Sequence, residues 1–368
     1  MARETLHVNP RVPGRLRQLD GLRGLAAFAV FLSHALGFAF ISNTVVGRAV
    51  EFPLLRPLWD GAPAVTLFFV LSGFVLTLPY TGPTAKSIDA LPFLIRRVFR
   101  LYPAYWAAIA IALALRELVF APQAFAGLTP WANGLWRLPI TAKTLLEHFA
   151  MIAPGMQTDA IDPVIWSLVT EMKVSLVFPA VLFVVGKTRR PVYAGAILAV
   201  LAACDIFFHV LGLFVIFFAG AFLAKYRQSI VEALGRSRAI RILLGCGGYL
   251  LYGSAWIFGF LPVEALRYTT AAGATIFVAL FLASGSLERF GTLTPIEFLG
   301  DVSYSFYLIH LPMLLAIFSV LYPRTHSPWL CAMAGLVSSL LASWVLFKIV
   351  ELPGQRLGRA LSKKRMSW

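Results

Sequence analysis

The chain has 368 residues, of which 59% are apolar and only 13% charged, and its mean hydropathy is +0.78. An average soluble domain is roughly 45–50% apolar. Here the apolar residues gather into runs long enough to cross a bilayer, which excludes a soluble globular enzyme, a disordered chain and a coiled coil. A net charge of +15 would point to nucleic acid in a soluble protein, but the basic residues sit mostly in alternate loops and read as an orientation signal.

Ten membrane spans are predicted, over residues 22–41, 62–80, 101–120, 164–185, 191–207, 208–224, 239–261, 266–284, 300–322 and 329–350. The fifth and sixth split one apolar stretch interrupted by Asp205 and His209, because basic residues flank it on both sides. On this reading the outer loops hold Arg48, Arg56, Arg116, Arg137, Lys143, Arg267 and Arg324, while 24 of the 32 basic residues lie on the inner side. The positive-inside rule then puts both termini in the cytoplasm. The predicted fold is an all-α integral membrane bundle with a cytoplasmic amino-terminal segment (1–21), a long extracytoplasmic loop (121–163) and a basic cytoplasmic tail (351–368). The Arg-rich start followed by an apolar run is read as a retained first helix, not a cleaved signal. Cys204, Cys246 and Cys331 lie far apart in apolar stretches and are read as packing residues.

Ionisable groups inside spans are expensive and mark functional candidates. In the first span, Asp20-Gly-Leu-Arg23 precedes Ser33-His34. Eleven residues bring Arg23 and His34 onto one helical face, roughly 16 Å apart along the axis, with Arg23 at the inner mouth and His34 near mid-membrane. Arg23 would alternatively snorkel to headgroups, and Asp20 would simply cap the helix. Ser72-Gly73 in the second span fits close helix packing. Arg97 and Arg100, an i,i+3 pair on one helical face at the cytoplasmic surface where the third span begins, suit bidentate phosphate binding, although juxtamembrane arginines commonly only set topology. In the 121–163 loop, Trp131 and Trp136 fit either headgroup anchoring or acceptor binding.

Trp166-Ser-Leu-Val-Thr170-Glu171-Met-Lys173 opens the fourth span from outside. Glu171 should reach about the depth of His34, where it would orient the imidazole as a triad carboxylate does, or belong to a purely structural network. In the ninth span, Ser303, Tyr307 and His310 form a polar stripe that lines a passage or glues helices together. Pro353 is expected to stop the tenth span, with Glu351 paired to a nearby basic group. No zinc-protease, P-loop or nucleophile-elbow motif occurs, and the six histidines form no metal-ligand pattern.

Six segments together resemble acyltransferase family 3, bacterial integral-membrane O-acyltransferases of surface polysaccharides and related acceptors: LDGLRGLAAFAVFLSHA (19–35), FFVLSGFVL (68–76), FLIRRVFRLYPAYW (93–106), IWSLVTEM (165–172), FLGDVSYSFYLIHLP (298–312) and ELPGQRLGR (351–359). They run in the family's order over nearly the whole chain. The resemblance implies a ten-helix core, acyl-coenzyme A (by family frequency acetyl-coenzyme A) as cytoplasmic donor, and two hallmarks: Arg-x10-His, met by Arg23 and His34, and Arg-x-x-Arg, met by Arg97 and Arg100. Family members often read W-S-L-S-V-E-E-Q-F-Y in the fourth span; Met172, Lys173, Val174 and Ser175 depart from that pattern after Glu171. Too few residues follow Glu351 for the extracytoplasmic hydrolase-like domain of some relatives, so residues 1–368 are expected to form a single transmembrane acyltransferase domain.

These readings combine into one expectation. Coenzyme A phosphates dock on Arg97 and Arg100 with Arg23 near the same mouth. The thioester reaches His34, which acts as base or acyl carrier with Glu171 orienting it, while Ser72, Trp166, Tyr307 and His310 contact substrate. No metal is expected. The acceptor is a carbohydrate hydroxyl at the bacterial inner membrane or, alternatively, a small lipophilic molecule or lipid; a transporter or flippase is the reading from a different class.

Overall fold

A computed structural model describes residues 16–39, 45–82, 85–125, 127–153, 155–208 and 211–364, with no strand among them. His209, the first 15 residues of the predicted amino-terminal segment and the last four of the tail lie outside the described residues. The helices that build the site are α1 (Arg17–Ala39), α2 (Gly61–Thr77), α3 (Ala90–Val119), the short α4 (Pro130–Gly134), α5 (Trp166–Lys187), α6 (Pro191–Phe208), α7 (Phe214–Lys225), α8 (Arg238–Tyr252), α9 (Val263–Ala283), α10 (Thr294–Thr325), α11 (Pro328–Leu346) and α12 (Leu352–Lys364).

Eight stretches are long and apolar enough to cross a membrane: α1, α2, α3, α5, α6, α9, α10, and α11 running on into α12. The chain is therefore an all-α, multi-pass membrane protein. Two of the ten predicted spans are shorter than the roughly 20 residues a crossing needs. The stretch predicted over 208–224 yields α7, 12 residues long, which bends by 70° into Arg227–Gly235. The 239–261 stretch yields the 15-residue α8 and then a separate turn, Ser254–Ile257. There the apolar run is broken at Gly253, and the Ser254 hydroxyl ties the turn to Thr269 and Thr270 at 2.7 and 3.2 Å.

The third span departs from prediction in the other direction. It begins at Ala90 and runs for 30 residues, so the helix starts ahead of the predicted boundary at 101, and Arg97 and Arg100 lie on it as the i,i+3 helical pair their spacing predicts. The arginines are tolerated inside it because tertiary partners satisfy them, as described below.

α10 is the most buried of the eight stretches and α6 the least. The approach of α1 to α10 depends on missing side chains. A Cβ on Gly24 would lie 2.5 Å from the Gly300 nitrogen, and one on Gly300 would lie 2.6 Å from the Asp20 carbonyl. The expected close packing at Ser72-Gly73 is also present: Gly73 of α2 rests on the Phe217 backbone of α7, and Gly220 returns the contact against Val70. Between α11 and α12 the chain makes a π-turn, Phe347–Glu351, a feature that often accompanies functional sites.

The ends of these helices define two faces. One carries the starts of α1, α3 and α10 and the end of α12, and we call it the basic face. On the far face the 121–163 segment is knit to α3: Arg116 donates to the Ala160 and Leu138 carbonyls at 2.5 and 2.7 Å, and Tyr105 to His148 O at 2.8 Å. Thr129 donates to Gly37 O at 2.5 Å, which fixes α4 over the end of α1.

Candidate active site

A cavity of about 760 Å³ enters from the basic face between α1, α2, α3, α5, α10, the π-turn and α12. Its inner walls hold charges in pairs. Arg97 is 6% exposed and is paired with Glu171, while its Nε donates to Ser175 at 3.0 Å. Ser72 donates to the same Glu171 carboxylate at 3.3 Å. Removing two charges from water costs several kcal/mol each unless they meet and their remaining valences are filled, and this four-residue cluster meets that condition. Arg23 pairs with Asp20 at 3.2 Å. The Arg100 guanidinium lies 6.0 Å over the Tyr304 ring, and Arg96 donates to Tyr80 at 3.2 Å. Glu351, 3% exposed, accepts from Ser305 at 2.7 Å and Gln355 at 2.9 Å.

The cavity ends on a layer of hydroxyls. Ser167 and Tyr307 face each other at 2.8 Å, and Tyr307 also lies 3.1 Å from Val164 O. Immediately behind, and outside the cavity lining, sits His310, which is fully buried. Its Nδ1 lies 3.1 and 2.8 Å from the Phe306 and Tyr307 carbonyls, and its Nε2 lies 2.8 Å from His34 Nδ1. The two rings are nearly parallel, 13° apart, with centroids at 5.1 Å.

These contacts assign the tautomers. A carbonyl only accepts, so His310 Nδ1 carries the proton and neutral His310 has its lone pair on Nε2. His34 Nδ1 must then donate to it, which leaves the lone pair of His34 on Nε2. The His34 ring is thus held in one tautomer by a second imidazole. On its other side His34 stacks on Trp131 of α4, with centroids 5.5 Å apart and planes 8° apart. Trp131 is itself 40% exposed, and His34 is half-buried.

The cavity lining collects Arg23, Ser72, Arg97, Arg100, Glu171 and Tyr307 from the sequence-predicted set. His34 and His310 stand together one layer beyond it. Trp166 does not line the cavity: it is 43% exposed and packs edge-on against Phe69 at 6.2 Å. Glu171 and Arg97 meet each other in the structure. Glu171 bonds to Arg97 and Ser72 and not to His34, whose polar partner is His310; the arginine lies inside α3 and its opposite charge claims the carboxylate. Arg97 in turn is not a free partner to Arg100 in a phosphate fork. Residues the sequence reading gave no role include Ser167, Ser175, Tyr304, Ser305 and Gln355. Ser175 lies one helical turn from Glu171, a spacing that could have flagged it.

No group of three or more metal ligands occurs among the described residues. The fold and site are those of a membrane-embedded enzyme with a polar cleft, and sequence comparison supplies its class. The chain belongs to the acyltransferase 3 family, whose description is "acyltransferase domain" and which matches residues 16–348. The protein is therefore an acyltransferase, which sets aside the transporter reading. Its relatives include Nodulation protein 10 of Rhizobium leguminosarum bv. viciae, 26% identical with 98% of each chain covered. The Exopolysaccharide production protein ExoZ of Rhizobium meliloti is 28% identical over 68% of this chain and 75% of its own. The Peptidoglycan O-acetyltransferase OatA of Listeria monocytogenes is 22% identical over 97% of this chain and 58% of its own length. No solved structure matches the chain.

Proposed function

We propose that this acyltransferase moves an acetyl group from acetyl-coenzyme A, entering from the cytoplasm through the basic face, to a hydroxyl of a carbohydrate acceptor that meets His34 from the far side of the inner membrane. Exopolysaccharide and peptidoglycan appear in the names of two relatives, which supports a glycan as acceptor. The basic loops clustered on the cavity side support a cytoplasmic position for both termini.

The observation that carries the reading is the alignment of the cavity floor with the imidazole pair. Tyr307 OH and Ser167 close the cavity, and behind them His310 Nε2 is joined to His34 Nδ1, which assigns the His34 lone pair to Nε2. In the reaction, His34 Nε2 takes the proton of the acceptor hydroxyl as its oxygen attacks the thioester carbonyl. The carbon–sulfur bond breaks, and the departing thiolate recovers the proton from His34. Throughout, His34 Nδ1–H stays bonded to His310 Nε2, so the imidazolium is oriented and stabilised by a hydrogen bond to a neutral acceptor without its partner changing protonation. This chemistry requires the Ser167–Tyr307 layer to part when the thioester arrives.

The test is transfer from radiolabelled acetyl-coenzyme A to an isolated surface glycan by protein in nanodiscs, with free thiol release followed in parallel. His34→Ala should abolish ester formation while the protein stays folded. Undiminished transfer by that variant would remove His34 from the chemistry.

A further inference from the structure

The cationic residues along the cavity divide into two kinds. Arg23, Arg97 and Arg100 lie deep, against Asp20, Glu171 and Tyr304. Nearer the mouth stand Lys86, Arg356, Arg359 and Lys363, all exposed and lining the cavity, and none of them forms an ion pair or hydrogen bond through its side chain among the described residues. The acids that line the cavity come from α1, α5, α10 and the π-turn; neither α12 nor the segment holding Lys86 contributes one.

The geometry of α12 makes these cations a single face. At 100° per residue, Arg356, Arg359 and Lys363 fall within about 60° of one another. The opposite flank is locked to α3, where a Cβ on Gly354 would meet Phe99 O at 3.0 Å and one on Gly358 would press on the Phe99 side chain at 2.5 Å. α12 thus runs back along α3 toward its start, with its basic arc turned to the opening. From Lys363 to Glu351 is about 18 Å of helix, and Glu351 is bonded to Ser305, two residues before Tyr307. The mouth therefore lies roughly 20 Å from the hydroxyl layer along α12 and α10.

We infer that the basic arc of α12, with Lys86 across the opening, is the site that grips the phosphate-bearing end of the donor: a nucleoside diphosphate with a further ribose phosphate. The inference rests on the donor reading above and moves the phosphate contacts from the Arg97–Arg100 pair to the mouth. Unpaired, water-exposed guanidinium groups meet a polyanion at little desolvation cost, whereas Arg97 would first have to abandon Glu171. The distance from mouth to floor suits a thin extended arm that carries the thioester inward. Phosphate esters of anionic lipids share the same chemistry, but these side chains line the cavity.

The experiment compares acetyl-coenzyme A with acetyl-pantetheine, which lacks the nucleotide, in nanodiscs of phosphatidylcholine alone. In R356Q/R359Q/K363Q, the advantage of acetyl-coenzyme A over acetyl-pantetheine in kcat/KM should fall roughly 30-fold. Competitive inhibition by adenosine 3′,5′-bisphosphate should weaken in step. R356K/R359K, which keeps the charge, should retain most of the advantage. An undiminished advantage in the triple variant overturns the inference, as does a loss that appears only when phosphatidylglycerol is added, since the arc would then serve the lipid. If the wild-type protein neither transfers from either thioester nor binds adenosine 3′,5′-bisphosphate, the donor reading itself fails. Nucleotide binding that persists unchanged in the triple variant condemns the placement alone.

Discussion

Breaking the Arg97–Glu171 pair separates the two roles open to Arg97. The Arg97 side chain is 7% exposed and that of Glu171 20%, with Ser175 and Ser72 completing the cluster. Glu171→Ala leaves Arg97 charged and buried with a single hydroxyl for company, a loss on the order of 3 kcal/mol for a buried pair deprived of one partner. Arg97→Met should cost about as much for the mirror reason. The double variant Arg97→Met/Glu171→Met removes both charges and fills the space, so it should regain most of the loss, with a coupling of roughly 2–3 kcal/mol in the double-mutant cycle. Reversible unfolding by titration with sodium dodecyl sulfate, followed by circular dichroism, reads all four corners of the cycle. If the single changes leave stability untouched and Arg97→Met instead raises the donor KM, Arg97 is a phosphate ligand and the clamp argument is wrong. Additive losses with no coupling would equally refute it, because the two residues would not be sensing each other.

Three further outcomes follow from the geometry. His310→Ala deprives His34 Nδ1–H of its acceptor and should cut kcat about 10²–10³-fold with little change in donor KM; His310→Gln, whose amide oxygen accepts the same hydrogen bond, should recover part of it, and equal kcat values for the two variants would break the relay argument. Gly24→Val drives a side chain into the Gly300 backbone and should prevent accumulation of folded protein, measured as the monodisperse fraction after detergent extraction; normal yield would mean α1 and α10 are not so close. Asp162, just outside α5, is completely buried, its Oδ2 without a hydrogen-bond partner among the described residues, and burial pushes its carboxyl well above the ordinary range despite a hydrogen bond from Val164 N–H. Because the folded state holds that proton more tightly than the unfolded chain, stability should decline as pH rises from the unfolded value near 4 through the raised folded one. Asp162→Asn should flatten that slope in unfolding titrations at a series of pH values, and an unchanged slope would show that Asp162 is not its source.

The sequence carried the parts of this site that lie on one helix and concealed those that depend on two. Arg23 and His34 share a face of α1 because eleven residues make nearly three turns, and nothing outside α1 is needed to see it. The partner of His34 is a different matter. Depth counted from the start of each span placed Glu171 and His310 near the same level as His34, and depth alone does not say which helix stands beside α1. Glycine decides this: Gly24 and Gly300 let α1 and α10 touch backbone to backbone, which brings in His310 from 276 positions away and leaves Glu171 to α3. The same blindness explains Arg97. Read alone, two arginines three residues apart belong at a headgroup layer; once Glu171 and Ser175 are seen to face Arg97, it belongs to a buried cluster, and the exposed cations that line the cavity are Lys86 and those of α12. A juxtamembrane arginine thus changes meaning with its partner, and the partner is set by which helices can approach closely enough to supply one.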